Sequence, residues 1–262
     1  EFSHRKNGFF YTDQSFTLPF ENSPKITYML GLLSKLAEEA GLGSLPEVKQ
    51  LEKRLGTMLI EEHQRLMKAI YCERIEIEEI DPQIFEIITE SLAKAQLLSI
   101  SYQPPEKQPG TRIIEPHKLI NYQGRWYLAA YCTLRNDFRI FHLSRMKKSK
   151  MHHQKAKPAR KLPDSWLEQS FGIFKGEVKY HAEIEFTSTA AELITHQRWH
   201  RDQTITPSEN GIILSLPVSD PRELIMKILQ YGARARVIKP TELKKQVIAE
   251  IKNMERIYDY GE

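Results

Sequence analysis

The stretch Gly124-Arg125-Trp126-Tyr127-Leu128-Ala129-Ala130-Tyr131-Cys132 constrains this chain more than any other. Read with the two-residue period of a strand, Trp126, Leu128, Ala130 and Cys132 fall on one face. Tyr127, Ala129 and Tyr131 fall on the other. Both faces are bulky and mostly apolar, so the strand needs cover on both sides. Asn121-Tyr122-Gln123-Gly124 ahead of it supplies turn chemistry. A second strand is expected over Asp137 to Arg145, with Arg139, Phe141, Leu143 and Arg145 on one face. Two arginines flanking two hydrophobes fit a groove where an anion meets a rigid sheet, because a guanidinium forks onto phosphate or carboxylate with paired N–H donors.

Other strands surround these. Leu97 to Gln103 places Leu98, Ile100 and Tyr102 on one face, and Thr111 to Tyr122 is interrupted by Pro116. Proline in a strand points to an edge or a bulge. Met146 to Met151 reads as a further short strand. Short strands at this spacing, with few helical signals between them, predict a small barrel.

Four blocks stand in order: Ile100-Ser101-Tyr102, Glu115-Pro116-His117-Lys118-Leu119, Gly124-Arg125-Trp126-Tyr127-Leu128 and Phe138-Arg139-Ile140-Phe141-His142-Leu143-Ser144-Arg145-Met146. Together they resemble a WYL domain, whose name-giving triplet is here Trp126-Tyr127-Leu128. A bare triplet would be weak, since short motifs match by chance; four ordered blocks are far more specific. The resemblance implies a small Sm-like (SH3-like) β-barrel that senses a ligand, usually inside a bacterial transcription regulator. It also implies a ligand site built on the arginines of the last strand with a Tyr and a His. Carried onto this chain, the effector-binding set is Tyr102, His117, Tyr127, Arg139, His142 and Arg145, with Arg139 foremost. The family's Arg-Thr-Phe-Arg phrase is here Arg139-Ile140-Phe141-His142. His142 in place of Arg argues for a different ligand or for binding that is pH-sensitive near the imidazole pKa. Structural alternatives stand beside these roles: Tyr127 lies in the most apolar strand, and Arg145 has Glu115 or Asp137 as possible partners.

Net charge is only +4, but its distribution is uneven. Ser101 to Lys161 carries 14 Lys/Arg against 3 Asp/Glu, leaving 24 against 31 for the rest. Such a field attracts polyanions. Arg125, Lys147, Lys148, Arg234 and Arg236 make up a secondary basic surface. For the lysine-rich tail behind Met146, a solvated linker around Pro158 and Pro163 is the equal alternative. The strand-face arginines near Arg236 have a plain solvated reading too.

At 262 residues the chain predicts two or three domains. The expected division is 1–20, a winged-helix wing remnant; 21–80, a helical linker and dimerisation region; 81–161, the WYL barrel; and 162–262, a C-terminal domain. The wing reading of Gly8 to Phe20 comes from the resemblance, which places a winged helix-turn-helix ahead of it. The absence of an initiator Met means either a start inside a longer protein or a cloning scar at Glu1-Phe2. Helices are expected at Pro24 to Ala40, ended by Gly41; at Pro46 to Tyr71; and from Pro82 to Gln96, capped by Asp81. Arg74 to Glu78 alternates like a short strand. After Pro163 the order β-α-β-β-α-β is that of a ferredoxin-like domain. It resembles the extension that follows many WYL domains, in Gln197-Arg198-Trp199-His200, Tyr231-Gly232-Ala233-Arg234-Ala235-Arg236-Val237 and Pro240-Thr241-Glu242-Leu243. The expected class is therefore α+β.

No nucleophile elbow, phosphate loop or dinucleotide fingerprint occurs, so catalysis, cofactors and metals are not expected. His196 and His200 lie four apart but lack the Glu of a zinc helix. Cys72 and Cys132 sit far apart, as free thiols in a reducing cytoplasm would. No apolar run approaches the ~20 residues of a membrane helix. The expectation is a cytoplasmic sensor of a nucleotide or single-stranded nucleic acid, controlling operator DNA binding by a winged helix-turn-helix. Leu243, Val247, Ile251, Met254 and Tyr258 on the last helix are expected to close a homodimer. The alternative is a general nucleic-acid-binding accessory module without a transcriptional switch.

Overall fold

The computed structural model describes residues 2–3, 8–9, 24–58, 61–71, 76, 78–105, 107–155 and 160–259. Most of the expected strand and exit at 8–20, most of Arg74 to Glu78, and Cys72 lie outside these residues. Strands β1 (Phe2–Ser3) and β2 (Gly8–Phe9) pair antiparallel. Helix α1 (Pro24–Ala37) runs into a wider turn at Glu38–Leu42, broken by Gly41 at φ 77. The run expected as one helix to Tyr71 forms two, α2 (Pro46–Met58) and α3 (Glu61–Lys68), with 59 and 60 outside the described residues. Helix α4 (Pro82–Lys94) starts as its sequence dictates. The Asp81 carboxylate accepts from the N–H of Gln83 at 2.9 Å and of Ile84 at 3.3 Å, and Pro82 occupies the first turn.

Five strands follow: β3 (Gln96–Tyr102), β4 (Gly110–Tyr122), β5 (Arg125–Cys132), β6 (Asp137–His142) and, after a 3-10 turn at Leu143–Arg145, β7 (Met146–Lys155). They form an antiparallel sheet in the order β6-β5-β4-β3-β7. One face packs on α4: Ile84 and Ile88 meet Leu98, Ile100, Ile114, Leu128, Ala130, Cys132 and Phe141 in one core. Pro116 sits in the interior strand β4, so a bulge accommodates it: the register slips between Pro116 and Lys118, leaving His117 extra.

The sheet is open, which corrects the expected Sm-like barrel. Closure would need a ladder between the terminal strands, and β6 and β7 share none. The physical reason is the 3-10 turn. It ends β6 at His142, buries Leu143, and sends Met146 on to pair with Tyr102 of β3. The expected strand to Arg145 is therefore cut short. A side chain reaches across instead: the Tyr102 hydroxyl accepts the His142 N–H at 3.3 Å, and its ring meets Phe141 edge-on at 5.2 Å.

Helix α5 (Asp164–Glu168) leads to the second unit: β8 (Tyr180–Thr187), α6 (Ser188–Thr195), β9 (Thr204–Ser208), β10 (Gly211–Val218), α7 (Arg222–Gln230), β11 (Ala235–Lys239) and α8 (Thr241–Asp259). Its sheet is open and antiparallel, in the order β11-β8-β10-β9. Ala182, Ile184 and Phe186 of β8, Leu214 and Leu216 of β10, Leu224 of α7 and Leu243 of α8 form its core. Leu243 and Val247 are thus spent on this core, while Ile251, Met254 and Tyr258 of the same helix stay exposed.

One buried carboxylate joins the two units. Glu223 on α7 accepts from the Tyr122 hydroxyl of β4 with one oxygen and from the Ile173 N–H at 2.7 Å with the other. Burial, then the bond to Glu223, keeps the Tyr122 hydroxyl protonated far above the usual phenol range. Gly172 makes room for this: it sits at φ +81, and a Cβ there would lie 2.3 Å from Glu223 Oε2. Gly232 is also at positive φ, +55, but a Cβ there meets nothing within 4 Å. Gly172→Ala should therefore cost roughly 3 kcal/mol, combining a left-handed backbone with a displaced buried acceptor. Gly232→Ala should cost only about 1 kcal/mol. Urea denaturation of both variants checks this, and equal losses would remove the role given to Glu223.

Candidate functional site

The β5–β6 register places Tyr127 opposite His142 and Leu128 opposite Phe141. Since Leu128 and Phe141 face α4, Tyr127 and His142 share the other face. Their rings stack at 4.6 Å with an interplanar angle of 17°. His142 is buried; its Nε2 lies 2.9 Å from Glu78 Oε2 and its Nδ1 lies 3.4 Å from Ser144 Oγ. Arg125, at the start of β5, reaches Glu76 at 2.6 Å and Glu78 Oε1 at 3.2 Å. Glu78 thus lies between a guanidinium and an imidazole.

Arg145 ends the 3-10 turn, exposed, and has no carboxylate within ion-pair distance among the described residues. Its charge and that of Arg125 act on both rings. Burial raises the Tyr127 hydroxyl above the usual phenol value, against both arginines. Burial lowers the His142 imidazole, with the arginines adding to it and Glu78 opposing. Arg125, Tyr127, His142 and Arg145 therefore form one cationic and aromatic patch. Anions and π-faces are what such a patch can bind.

The other expected site residues lie elsewhere. Arg139 opposes Ala130 on the α4 side of the sheet and pairs with Asp137 at 3.1 Å. Arg139 and Arg145 do not share a strand, because β6 ends between them. That corrects the expected two-arginine face. Tyr102 belongs to the core, its hydroxyl engaged by His142 N–H. His117, at the bulge, lies 3.5 Å from Glu115 and edge-on to Phe138 at 5.2 Å. Arg160, 3.8 Å from Glu115, also covers the Tyr131 ring at 4.0 Å. Glu115 and Asp137 thus take Arg160 and Arg139, not Arg145.

The secondary basic surface is only partly free. Arg125 is paired as above, and Arg236 forks onto Glu185 at 2.6 and 3.0 Å. Arg234 sits exposed in the 3-10 turn Gly232–Arg234, so it does not alternate with Arg236 on a strand. Lys147 and Lys148 are exposed on the edge strand β7. The partners that sequence reading missed are Glu76 and Glu78. Their alternation read as a strand, and nothing in a one-dimensional pattern pairs them with Arg125 or His142 nearly fifty residues and more away.

His200 is buried, with Nε2 2.7 Å from the Glu168 carbonyl and Nδ1 accepting the Asp202 N–H at 3.1 Å. Among the described residues no cluster of His, Cys, Asp and Glu could hold a metal ion, and no helix is long and apolar enough to cross a membrane. Cys132 is a buried free thiol.

His117, His142 and His200 are all held below the ordinary imidazole value of 6.5, with burial the largest cause in each. Unfolded histidines protonate first as pH falls, so this contribution to stability is complete above about 6.5 and is lost as pH drops through the folded values. The melting temperature should fall between about pH 7.5 and pH 5.5, and His142→Gln should make the fall shallower. A flat profile in differential scanning calorimetry would contradict this.

Residues 83–151 match the WYL domain family, and residues 179–254 match the WCX domain family. YobV of Bacillus subtilis, named as an uncharacterized HTH-type transcriptional regulator, is 29% identical over 182 residues, covering 66% of this chain and 55% of YobV. CapW of Pseudomonas aeruginosa, a DNA-binding transcriptional repressor, is 31% identical over 69 residues, 26% of this chain and 23% of CapW. Protein PafB of Mycobacterium tuberculosis is 22% identical over 191 residues, 64% of this chain and 52% of PafB. The chain thus spans about half the length of YobV and PafB and less of CapW. With both family matches falling on the two sheets described above, the chain belongs to the WYL-domain proteins related to such regulators, with a WCX domain downstream of its WYL domain.

Proposed function

We propose that this chain is the effector-sensing part of a transcriptional regulator. It takes an anionic effector, a nucleotide or single-stranded nucleic acid, at the patch of Arg125, Tyr127, His142 and Arg145. The observation that carries this reading is the exposed guanidinium of Arg145, without a carboxylate partner among the described residues, beside a stacked Tyr127–His142 pair on a rigid ladder. A phosphate suits the guanidinium, and a base suits the ring face. The relatives named as an HTH-type regulator and a DNA-binding repressor support the transcriptional role. In this reading a winged helix-turn-helix N-terminal to the described domains contacts operator DNA.

A route for the signal also supports it. The Trp126 indole N–H donates to the Ala40 carbonyl just after α1, and Asn121 Nδ2 reaches the same oxygen at 3.4 Å. Trp126 and Tyr127 are neighbours on β5 with side chains on opposite faces, so in this reading their shared backbone links the patch to the end of α1.

The lysines of β7 support a second reading, a general nucleic-acid-binding module. Lys147, Lys148 and Lys150 are exposed, with no ion pair among the described residues. A homodimer through α8 is part of the first reading. Ile251, Met254 and Tyr258 line an apolar groove of about 560 Å³ against α7 and β11.

A fluorescence anisotropy titration with labelled 5′-phosphorylated oligothymidylate separates the two readings. The sensor reading expects Arg145→Ala to weaken binding about tenfold or more, and Arg139→Ala by less than about twofold, with both melting near wild type. The accessory reading expects loss on replacing the three lysines and a salt slope of about −0.7 per phosphate contact. Ile251→Asp should shift sedimentation equilibrium towards monomer; no shift would remove the α8 interface.

A further inference from the structure

We infer that Glu78, with Glu76, is a built-in occupant of the effector patch, and that an anionic ligand binds by displacing these carboxylates from Arg125 and His142. This rests on the effector-site reading above and assigns its regulation.

The geometry is that of a ligand supplied by the chain itself. Arg125 commits its Nη2 to Glu76 at 2.6 Å and its Nε to Glu78 at 3.2 Å. The second Glu78 oxygen lies 2.9 Å from His142 Nε2. One carboxylate therefore bridges a guanidinium and an imidazole, where a phosphate would make the same two contacts. His142 cannot turn away, because its ring is stacked on Tyr127 and its backbone N–H is held by Tyr102. Arg145 has no carboxylate within ion-pair distance among the described residues, so a first encounter with an anion is open while the rest of the patch is filled.

The carboxylates can leave. The Glu78 side chain is 35% exposed and that of Glu76 66%, so water takes up what the cations release. The Arg125 pairs are exposed enough to be weak, and the sealed Glu78 Oε2–His142 Nε2 contact makes no hydrogen bond that would hold it. Alongside lies a cleft of about 260 Å³ lined by Glu78, Ile80, Asp81, Trp126, Ser144 and Lys147, with room for the freed side chain. The segment Glu78 to Asp81 is also well placed to report the exchange. Ile80 packs in the core with Ile84, and Asp81 caps α4. Self-occupancy lowers the apparent affinity by the fraction of molecules whose patch is closed.

Anisotropy with labelled 5′-phosphorylated oligothymidylate tests this on the full chain. Glu76→Gln with Glu78→Gln should bind the probe roughly tenfold more tightly than wild type. Glu86→Gln with Glu192→Gln removes the same charge from exposed residues that pair with neither Arg125 nor His142 and do not line the cleft, and should stay within about twofold. Equal tightening in both double variants would overturn the inference, since net charge alone would explain it. No tightening at Glu76 and Glu78, with binding lost in Arg145→Ala, would overturn it while leaving the effector site standing. Binding unaffected by Arg145→Ala and Arg125→Ala would remove the site and the inference together. Hydrogen exchange gives an independent reading: amides of Glu78 to Asp81 should exchange faster in the probe-saturated wild type, and unchanged exchange would count against displacement.

Discussion

Cover on both faces of β5 is the constraint from which most of this structure follows. Leu128, Ala129 and Ala130 are consecutive and all completely buried, although alternate residues of a strand point in opposite directions. One face is closed by α4, the other by polar and aromatic side chains. Because the period is two, the register that puts Leu128 and Phe141 into the core must also put Tyr127 and His142 together on the opposite side. The meeting of the two rings is thus a by-product of packing, and Glu78 and Ser144 flank the imidazole nitrogens.

An open sheet with a side chain spanning its gap behaves differently from a closed barrel. A ladder between β6 and β7 would satisfy edge groups and fix the two strands rigidly. Here the Tyr102 hydroxyl and the 3-10 turn make the connection, beside His142 and Arg145. His142 and Arg145 consequently stand where β6 gives way to the turn at the edge of the sheet. The same opening leaves β7 as an edge strand carrying lysines, a common protection against edge-to-edge pairing.

Buried or half-buried carboxylates recur at the joints. Glu223 ties β4 to the loop around Ile173, Glu115 lies among His117 and Arg160, and Glu78 lies between Arg125 and His142. They differ in exposure, and so in what they can do. Glu223 and Glu115 are nearly sealed, and removing a partner from a sealed charge is costly. Glu78 keeps a third of its side chain in water, although its Oε2 against His142 is sealed. The displacement proposed for Glu78 rests on that difference.

Periodicity and capping chemistry are local, and they were readable without coordinates. The alternation of β5, the Asp81-Pro82 start of α4, the halt at Gly41 and the strand and helix succession after Pro163 all lie where neighbouring residues dictate them. Tyr127, His142 and Arg145, grouped at the start by the resemblance to WYL domains and not by periodicity, do lie near one another in the fold. Three things were not legible in the sequence. The break at Leu143 depends on Met146 finding Tyr102 more than forty residues back, so a pattern that continues smoothly to Arg145 conceals it. The separation of Arg139 from Arg145 follows from that same break, and the charge of Arg139 is met by Asp137. The pairing of Glu76 and Glu78 with Arg125 and His142 is likewise long-range. Local sequence determines which face a residue occupies, whereas which charges meet, and whether a sheet closes, depends on chain segments that only folding brings within a few ångströms.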